Sequence, residues 1–167
     1  QNTFQKHIKF TIGKQGRNIC TLRMSKKISQ GKNLFRQHQC KFLVIPEIFF
    51  RRVNVKKPKK ILLMLGTNSV ATMDVDYFIT QYKKLLQEIK TVSPETIVIV
   101  QSIFPVAKSL DITGKSLNND KINKFNYHLL KLCSELEIPF LNTAEVLKDE
   151  NGQGKAEYFR TTGNENG

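Results

Sequence analysis

The feature that most constrains this chain is an apolar run at residues 61–65, which ends at Gly66 and is followed by Asn68. Five consecutive apolar residues after a cluster of Lys and Pro predict a strand buried on both faces, as at the centre of a parallel sheet. Ligands of open α/β sheets bind beyond the carboxyl ends of such strands, where an Asn offers two N–H donors. On spacing alone, an ordinary strand-to-helix turn is the better interpretation of residues 66–69.

The chain after this run alternates between helices and strands. The helices have apolar residues at spacings of three and four, and a β-branched run indicates another buried strand. The predicted elements are a helix from the cap Asp74 to Val92, a strand at 96–100, a helix that begins after Asn118 or Asn119, a strand at 138–142 and one helical turn at 143–147. Short connections between such elements predict a parallel sheet with helices on both faces.

The first third of the chain differs sharply in charge from the rest. Residues 1–60 hold 16 of the 27 Lys and Arg residues but only one of the 14 acids, Glu47, and the net charge of the chain is +13. Such asymmetry indicates contact with nucleic acid or an anionic surface, or a segment that is not a native continuation of the remainder. We therefore divide the chain into a basic segment, 1–58, and an α/β core, 59–167.

The basic segment has little periodicity. Residues 8–12 alternate like a weak half-buried strand, whereas residues 14–41 follow neither a helical nor a strand period and are expected to be poorly packed. Either of the apolar runs at 42–45 and 48–50 fits a buried strand.

Composition excludes several classes of protein. No apolar run approaches the roughly 18 residues of a transmembrane helix, and the first thirty residues lack the apolar stretch of a signal peptide. The chain begins at Gln1 rather than Met, which is compatible with an earlier removal of a leader, so the sequence does not predict the cellular compartment. The three cysteines form no zinc-binding pattern, and Cys133 is expected to be a buried, inert thiol on the apolar face of a helix.

Residues 59 to about 160 carry a family resemblance. The matching stretches are Ile61 to Asn68, Ser93 to Ile99, Gln101 to Pro105, Asn123 to Asn126, and Leu147 to Gly152 followed by Tyr158. In these stretches the chain resembles the SGNH hydrolases, also called GDSL-type esterases and lipases. The resemblance implies a flavodoxin-like three-layer α/β/α sandwich and Ser-His-Asp hydrolysis of O-acyl esters of a lipid, a carbohydrate or a small alcohol, without a cofactor or metal. It also implies that Asn68, in the Gly-x-Asn position, is an oxyanion-hole donor.

The family's other catalytic motifs are not found. Residues 1–60 contain no Gly-Asp-Ser, and residues 12–15 lie about where it belongs. Ser25 and Ser29 have neither a strand nor a glycine elbow before them, so we interpret them as surface serines. After Tyr158, where the family has Asp-Gly-x-His, residues 161–167 hold no histidine, and the core is expected to be truncated there. The remaining histidines, His7, His38 and His128, are interpreted as solvated or structural.

Three functions therefore remain open. The chain is an ester hydrolase by descent whose missing motifs predict no turnover; or it is a non-catalytic domain of the same fold; or its basic segment binds nucleic acid or an anionic surface on an α/β scaffold. The segment lacks interleaved aromatic residues that stack on bases, which disfavours nucleic acid. Altered reading frames in the flanks also explain the loss of the motifs, and the oligomeric state is not predicted.

Overall fold

A computed structural model describes residues 8–12, 19–24, 47–108 and 117–158, with the backbone alone for 8–12, 19–24, 47 and 48. The strands are β1 (Ile8–Ile12), β2 (Ile19–Met24), β3 (Lys60–Met64), β4 (Ile97–Gln101) and β5 (Phe140–Leu141). The helices are α1 (Glu47–Lys56), α2 (Thr67–Val70), α3 (Val75–Val92), α4 (Asn119–Glu135) and α5 (Thr143–Leu147), and a 3₁₀ turn spans Ala156–Tyr158.

The strands form one sheet in the order β1-β2-β3-β4-β5. Strands β2 to β5 are parallel, and β1 pairs antiparallel with β2 at one edge. The expectation that 61–65 and 97–100 are adjacent parallel strands is confirmed, since Ile61 pairs with Val98 and Leu63 with Val100. The fold is the predicted α/β architecture, a parallel sheet with flanking helices, to which β1 adds an antiparallel edge.

One hydrophobic core joins the sheet to four of the described helices. On β3, Ile61 and Leu63 are fully buried, and they share the core with residues of α1, α2, α3 and α4. Leu62 and Met64, which point to the other face of the strand, are only half-buried. The prediction that β3 is buried on both faces therefore holds for one face only, because successive side chains alternate between faces and the two faces are covered unequally.

Helix α3 follows its sequence pattern closely. Asp74 caps it by accepting hydrogen bonds from the backbone N–H groups of Asp76 (2.8 Å) and Tyr77 (3.2 Å). These bonds, chiefly that from Tyr77, lower the pKa of the Asp74 carboxyl, since they favour its charged form. The buried face is the predicted stripe at spacings of three and four: Phe78, Tyr82, Leu85, Leu86 and Ile89.

The structure corrects two expectations about the basic segment. Within 14–41, Ile19–Met24 forms β2, which pairs with strands on both sides, whereas no strand was expected there. The run at 48–50 lies in helix α1, where Phe49 and Val53, four residues apart, are buried on one face. The run at 42–45 lies outside the described residues, while the weak strand predicted at 8–12 is confirmed as β1.

Within the described ranges, none of the helices is both long and apolar enough to cross a membrane.

Candidate functional site

Three loops meet at the carboxyl edge of the sheet. Strand β3 is followed by Gly66, β4 by Ser102 and β5 by Asn142. Because these strands are parallel and adjacent, their carboxyl ends share one edge, the edge where open α/β sheets bind ligands. The candidate site is built from these loops.

Gly66 makes the turn from β3 into α2. Its φ of 136° is one that residues with a side chain rarely adopt, and its carbonyl accepts hydrogen bonds from the N–H groups of Ser69 (2.7 Å) and Val70 (3.0 Å). A Cβ at this position would lie 2.4 Å from Cδ1 of Ile103 and 3.3 Å from Cζ of Phe78. Glycine is therefore required here both by the backbone and by the space that Ile103 occupies.

Asn68 lies in α2, directly after this turn. The residue is exposed, and its backbone carbonyl accepts a hydrogen bond from Oγ1 of Thr72 (3.3 Å). Its side-chain amide forms no hydrogen bond with another described residue. The predicted donor is thus at the carboxyl edge of the sheet with an amide available to a ligand.

Two asparagines of α4 hold the segment that follows β4. Oδ1 of Asn126 accepts from the N–H of Ile103 (2.7 Å), and its Nδ2 donates to the Ile103 carbonyl (2.9 Å). Asn119 makes the same pair of bonds with Val106, at 2.8 and 2.9 Å, and also donates to Oε1 of Gln153 (2.8 Å). Each amide therefore binds the backbone as a neighbouring strand would.

The same segment is tied to the loop that follows β5. Ser102 is fully buried, and its Oγ accepts a hydrogen bond from the N–H of Ala144 (2.8 Å). The Val106 carbonyl accepts a further bond from the N–H of Gly154 (2.9 Å). The carboxyl edge is thus a connected structure rather than a set of independent loops.

A shallow cavity of about 220 Å³ lies between α4, β5 and α5. Its lining comprises Asn123, Asn126, Tyr127, Leu130, Phe140, Asn142, Glu145 and Lys148. Lys148 and Glu145 form an ion pair at 2.7 Å, so the lining carries no uncompensated charge. Asn68 does not belong to this lining, and the cavity does not mark the predicted donor.

The described residues do not supply a nucleophile and base next to Asn68. Ser69 and Ser102 are buried, and the ring of His128 packs edge-on against Tyr127 of the same helix, with 5.5 Å between ring centroids. Among these residues no group of three His, Cys, Asp or Glu side chains is arranged to hold a metal ion.

The remaining sequence candidates belong to the basic segment. His7, His38, Ser25 and Ser29 lie outside the described residues. The expectation that no strand precedes Ser25 is nevertheless wrong, because β2 ends at Met24.

A parallel α/β sheet with flanking helices is the fold of the SGNH hydrolases. A model of the GDSL-like Lipase/Acylhydrolase family matches residues 43–162, which is most of the chain. The chain therefore belongs to the GDSL-like lipase/acylhydrolase family, as its motifs predicted. The match begins before residue 59, so it includes helix α1 as well as the core.

Solved structures share the fold. A protein from Streptococcus pneumonia assigned as a platelet activating factor aligns with a TM-score of 0.57 at 23% identity, over 66% of this chain and 57% of its own. A GDSL-like lipase from Bacteroides thetaiotaomicron aligns with a TM-score of 0.53 at 21% identity, over 67% of this chain and 58% of its own. A protein from Bacteroides fragilis assigned as an acylhydrolase aligns with a TM-score of 0.54 at 16% identity, over 68% of this chain and 56% of its own.

At these identities the likeness establishes the fold alone. The chain spans less than two thirds of the length of each of these structures. No curated protein matches the sequence.

Proposed function

We propose that this chain is an ester-hydrolase domain of the GDSL family in which Asn68 is an oxyanion-hole donor. By descent its substrates are O-acyl esters of a lipid, a carbohydrate or a small alcohol. The chain does not turn such esters over, because it has neither Gly-Asp-Ser nor Asp-x-x-His and the described residues supply no nucleophile and base next to the donor. The observation that carries the proposal is the exposed Asn68 amide beyond the end of the central strand, to which no described residue is hydrogen-bonded.

The donor role has a physical basis in how the turn is built. An oxyanion donor is effective when it is fixed before the reaction, about 3 Å from the oxygen on which charge develops. Gly66 ties the start of α2 through two backbone hydrogen bonds, and its Cα is packed against Ile103. These contacts support a preorganised Asn68, whose amide need not first break a bond within the described structure.

The proposed lack of turnover rests on the missing partners. The chain has no Gly-Asp-Ser and no Asp-x-x-His in its 167 residues. Of the described serines near the carboxyl edge, Ser69 is buried, and the Ser102 hydroxyl is buried and accepts from the Ala144 N–H. Ser25 follows β2 in the sequence and lies outside the described residues. Without a base to take its proton, a serine hydroxyl is a weak nucleophile.

Hydrolysis of short p-nitrophenyl esters tests the absence of turnover. We expect no release of nitrophenolate above a denatured control, and no effect of Asn68→Ala on that baseline. Asn123→Ala is the matched control, since Asn123 is an exposed asparagine on α4. Robust hydrolysis that Asn68→Ala lowers by about 10²–10³-fold, with Asn123→Ala unchanged, would mean that the flanks supply a serine and a histidine. Hydrolysis indifferent to Asn68→Ala would contradict the donor role as well.

The donor itself is tested by binding. Methylphosphonate is a tetrahedral oxyanion and imitates the charge of the intermediate of ester hydrolysis. In ¹⁵N–¹H spectra, we expect it to shift the side-chain amide signals of Asn68 but not those of Asn123. Equal shifts at both positions, or none at Asn68, would refute the assignment.

A further inference from the structure

Asn119 and Asn126 lie seven residues apart on α4, two turns along the same face of the helix. Buried Ile122 lies between them on this face, so the two amides interrupt an apolar stripe. A buried or half-buried amide without partners costs about 1–3 kcal/mol, and here each amide is satisfied by one backbone N–H and one backbone carbonyl. The two residues therefore clamp the segment 103–106 at both of its ends.

The clamped segment packs against the turn that precedes Asn68. Ile103, held by Asn126 through its backbone, directs its side chain at Gly66, leaving no space for a Cβ there. Ile103 is itself 3% exposed, so its side chain has little room to take another position. A displacement of the Ile103 backbone is thus transmitted through this side chain to Gly66 and to the start of α2.

We infer that Asn126 is a positioning residue for Asn68: by holding the Ile103 backbone, it fixes the Ile103 side chain against Gly66 and so sets the turn that presents the Asn68 amide. Asn119 serves the far end of the same segment, where it also binds Gln153. The inference rests on the proposed function for the meaning of Asn68 as a donor. The coupling between the two residues is a property of the contacts and is measured without any substrate.

The variant Asn126→Asp isolates the hydrogen bonds from the volume of the side chain. At neutral pH the carboxylate still accepts from the Ile103 N–H, but it cannot donate to the Ile103 carbonyl and opposes that oxygen with negative charge. The Ile103 carbonyl disfavours the charged carboxylate and so raises its pKa above the ordinary value of about 4. At pH 4 the protonated carboxyl donates its O–H to that carbonyl, and both bonds are restored. Asn123→Asp is the matched control, because it adds the same charge to the same helix at an exposed position outside the clamp.

Spectra of the full chain at pH 7 and pH 4, with the wild type as reference at each pH, give the readout. For Asn126→Asp at pH 7, we expect the Gly66 amide and the Asn68 side-chain signals to shift together with those of Ile103, because the Ile103 carbonyl has lost its donor. At pH 4 the signals return to the wild-type positions. Asn123→Asp leaves the Gly66 and Asn68 signals in place at both pH values.

The inference is overturned if the Ile103 signals shift in Asn126→Asp while those of Gly66 and Asn68 do not. Ile103→Val provides a second test that does not depend on the folding of Asn126→Asp, since it removes Cδ1, the atom closest to Gly66. It must shift the same Gly66 and Asn68 signals at both pH values, with no recovery at pH 4. Signals of Asn68 that follow Asn126 but ignore methylphosphonate would refute the donor and leave the positioning role intact.

Discussion

Replacing Gly66 with alanine tests the central feature of the site. A non-glycine residue held at a φ of 136° costs about 1–3 kcal/mol in backbone strain. The added Cβ would lie 2.4 Å from Cδ1 and 2.7 Å from Cγ1 of Ile103, and forced overpacking of this kind costs about 1–3 kcal/mol more. We therefore expect Gly66→Ala to lower the free energy of unfolding by about 4 kcal/mol, a large part of the total of a typical domain.

The assay is urea unfolding followed by circular dichroism, analysed by linear extrapolation. Gly152→Ala is the matched control, because Gly152 has a positive φ of 74° but nothing within 4 Å of an added Cβ. It should cost only the backbone term, about 1–2 kcal/mol. The excess of Gly66→Ala over Gly152→Ala measures the collision with Ile103 together with the stricter backbone at Gly66.

A double-mutant cycle separates these two causes. Ile103→Val removes Cδ1, and alone it should cost about 0.5–1.5 kcal/mol. In the Gly66→Ala background the same change relieves the shortest contact. The double variant should therefore lose less stability than the sum of the two single variants, by more than about 0.5 kcal/mol. Additive losses, or a Gly66→Ala variant no less stable than Gly152→Ala, would refute the reasoning that Ile103 is packed against this turn.

Two further predictions concern the buried face shared by α3 and α4. Tyr82 is fully buried, and its hydroxyl has no hydrogen-bond partner within the described structure. Tyr82→Phe should therefore raise the free energy of unfolding by about 1 kcal/mol, seen as a higher urea midpoint. Tyr127→Phe, at an exposed position, should leave it unchanged. A less stable Tyr82→Phe would mean that the hydroxyl does have a partner. Burial raises the pKa of the Cys133 thiol from 9.0 to about 11, so between these pH values the unfolded state loses a proton that the folded state keeps, and stability falls as pH rises. Cys133→Ala should lose less stability over that window than the wild type, and an equal loss would contradict the shift.

Sequence patterns predicted the elements that carry their own local signals. Asp74 indicates the start of α3, because a carboxylate at the N-cap accepts hydrogen bonds from N–H groups that have no partner within the helix. The structure contains these bonds. Asn118 caps α4 in the same way, by accepting from the N–H of Lys121, which decides between the two caps considered. The apolar runs also predicted β3 and β4 as strands, but not how they are buried, since Leu62 and Met64 are only half-buried and Ile97 is exposed.

The elements that were missed depend on contacts between distant residues. Strand β2 alternates weakly, with Leu22 and Met24 separated by Arg23, and it is stabilised by pairing with β1 and β3 rather than by its own composition. On helix α1, Phe49 and Val53 are buried and Phe50 packs against the same core, so the apolar residues at 48–50 read as a continuous run rather than as a helical period.

The role of Asn126 was also missed, although a signal was present. It lies near the apolar stripe of α4, close to Phe125 and Leu129, where a polar side chain must find partners. The sequence cannot show which backbone segment provides them, because Ile103 is 23 residues away along the chain. The same limit applies to the Ile103 contact that makes Gly66 necessary.

The residues of the site differ in what the fold requires of them. Gly66 and Asn126 are needed for packing and for backbone hydrogen bonds whether or not the chain has any activity. Asn68 is exposed and binds no described residue through its amide, and substitutions at such positions change stability by less than about 0.5 kcal/mol. Stability measured beside the methylphosphonate response therefore separates the two kinds of role. An Asn68→Ala chain that is as stable as the wild type, but whose neighbouring backbone amides no longer respond to methylphosphonate as they do in the wild type, has lost a donor, whereas one that is clearly destabilised would make Asn68 part of the scaffold.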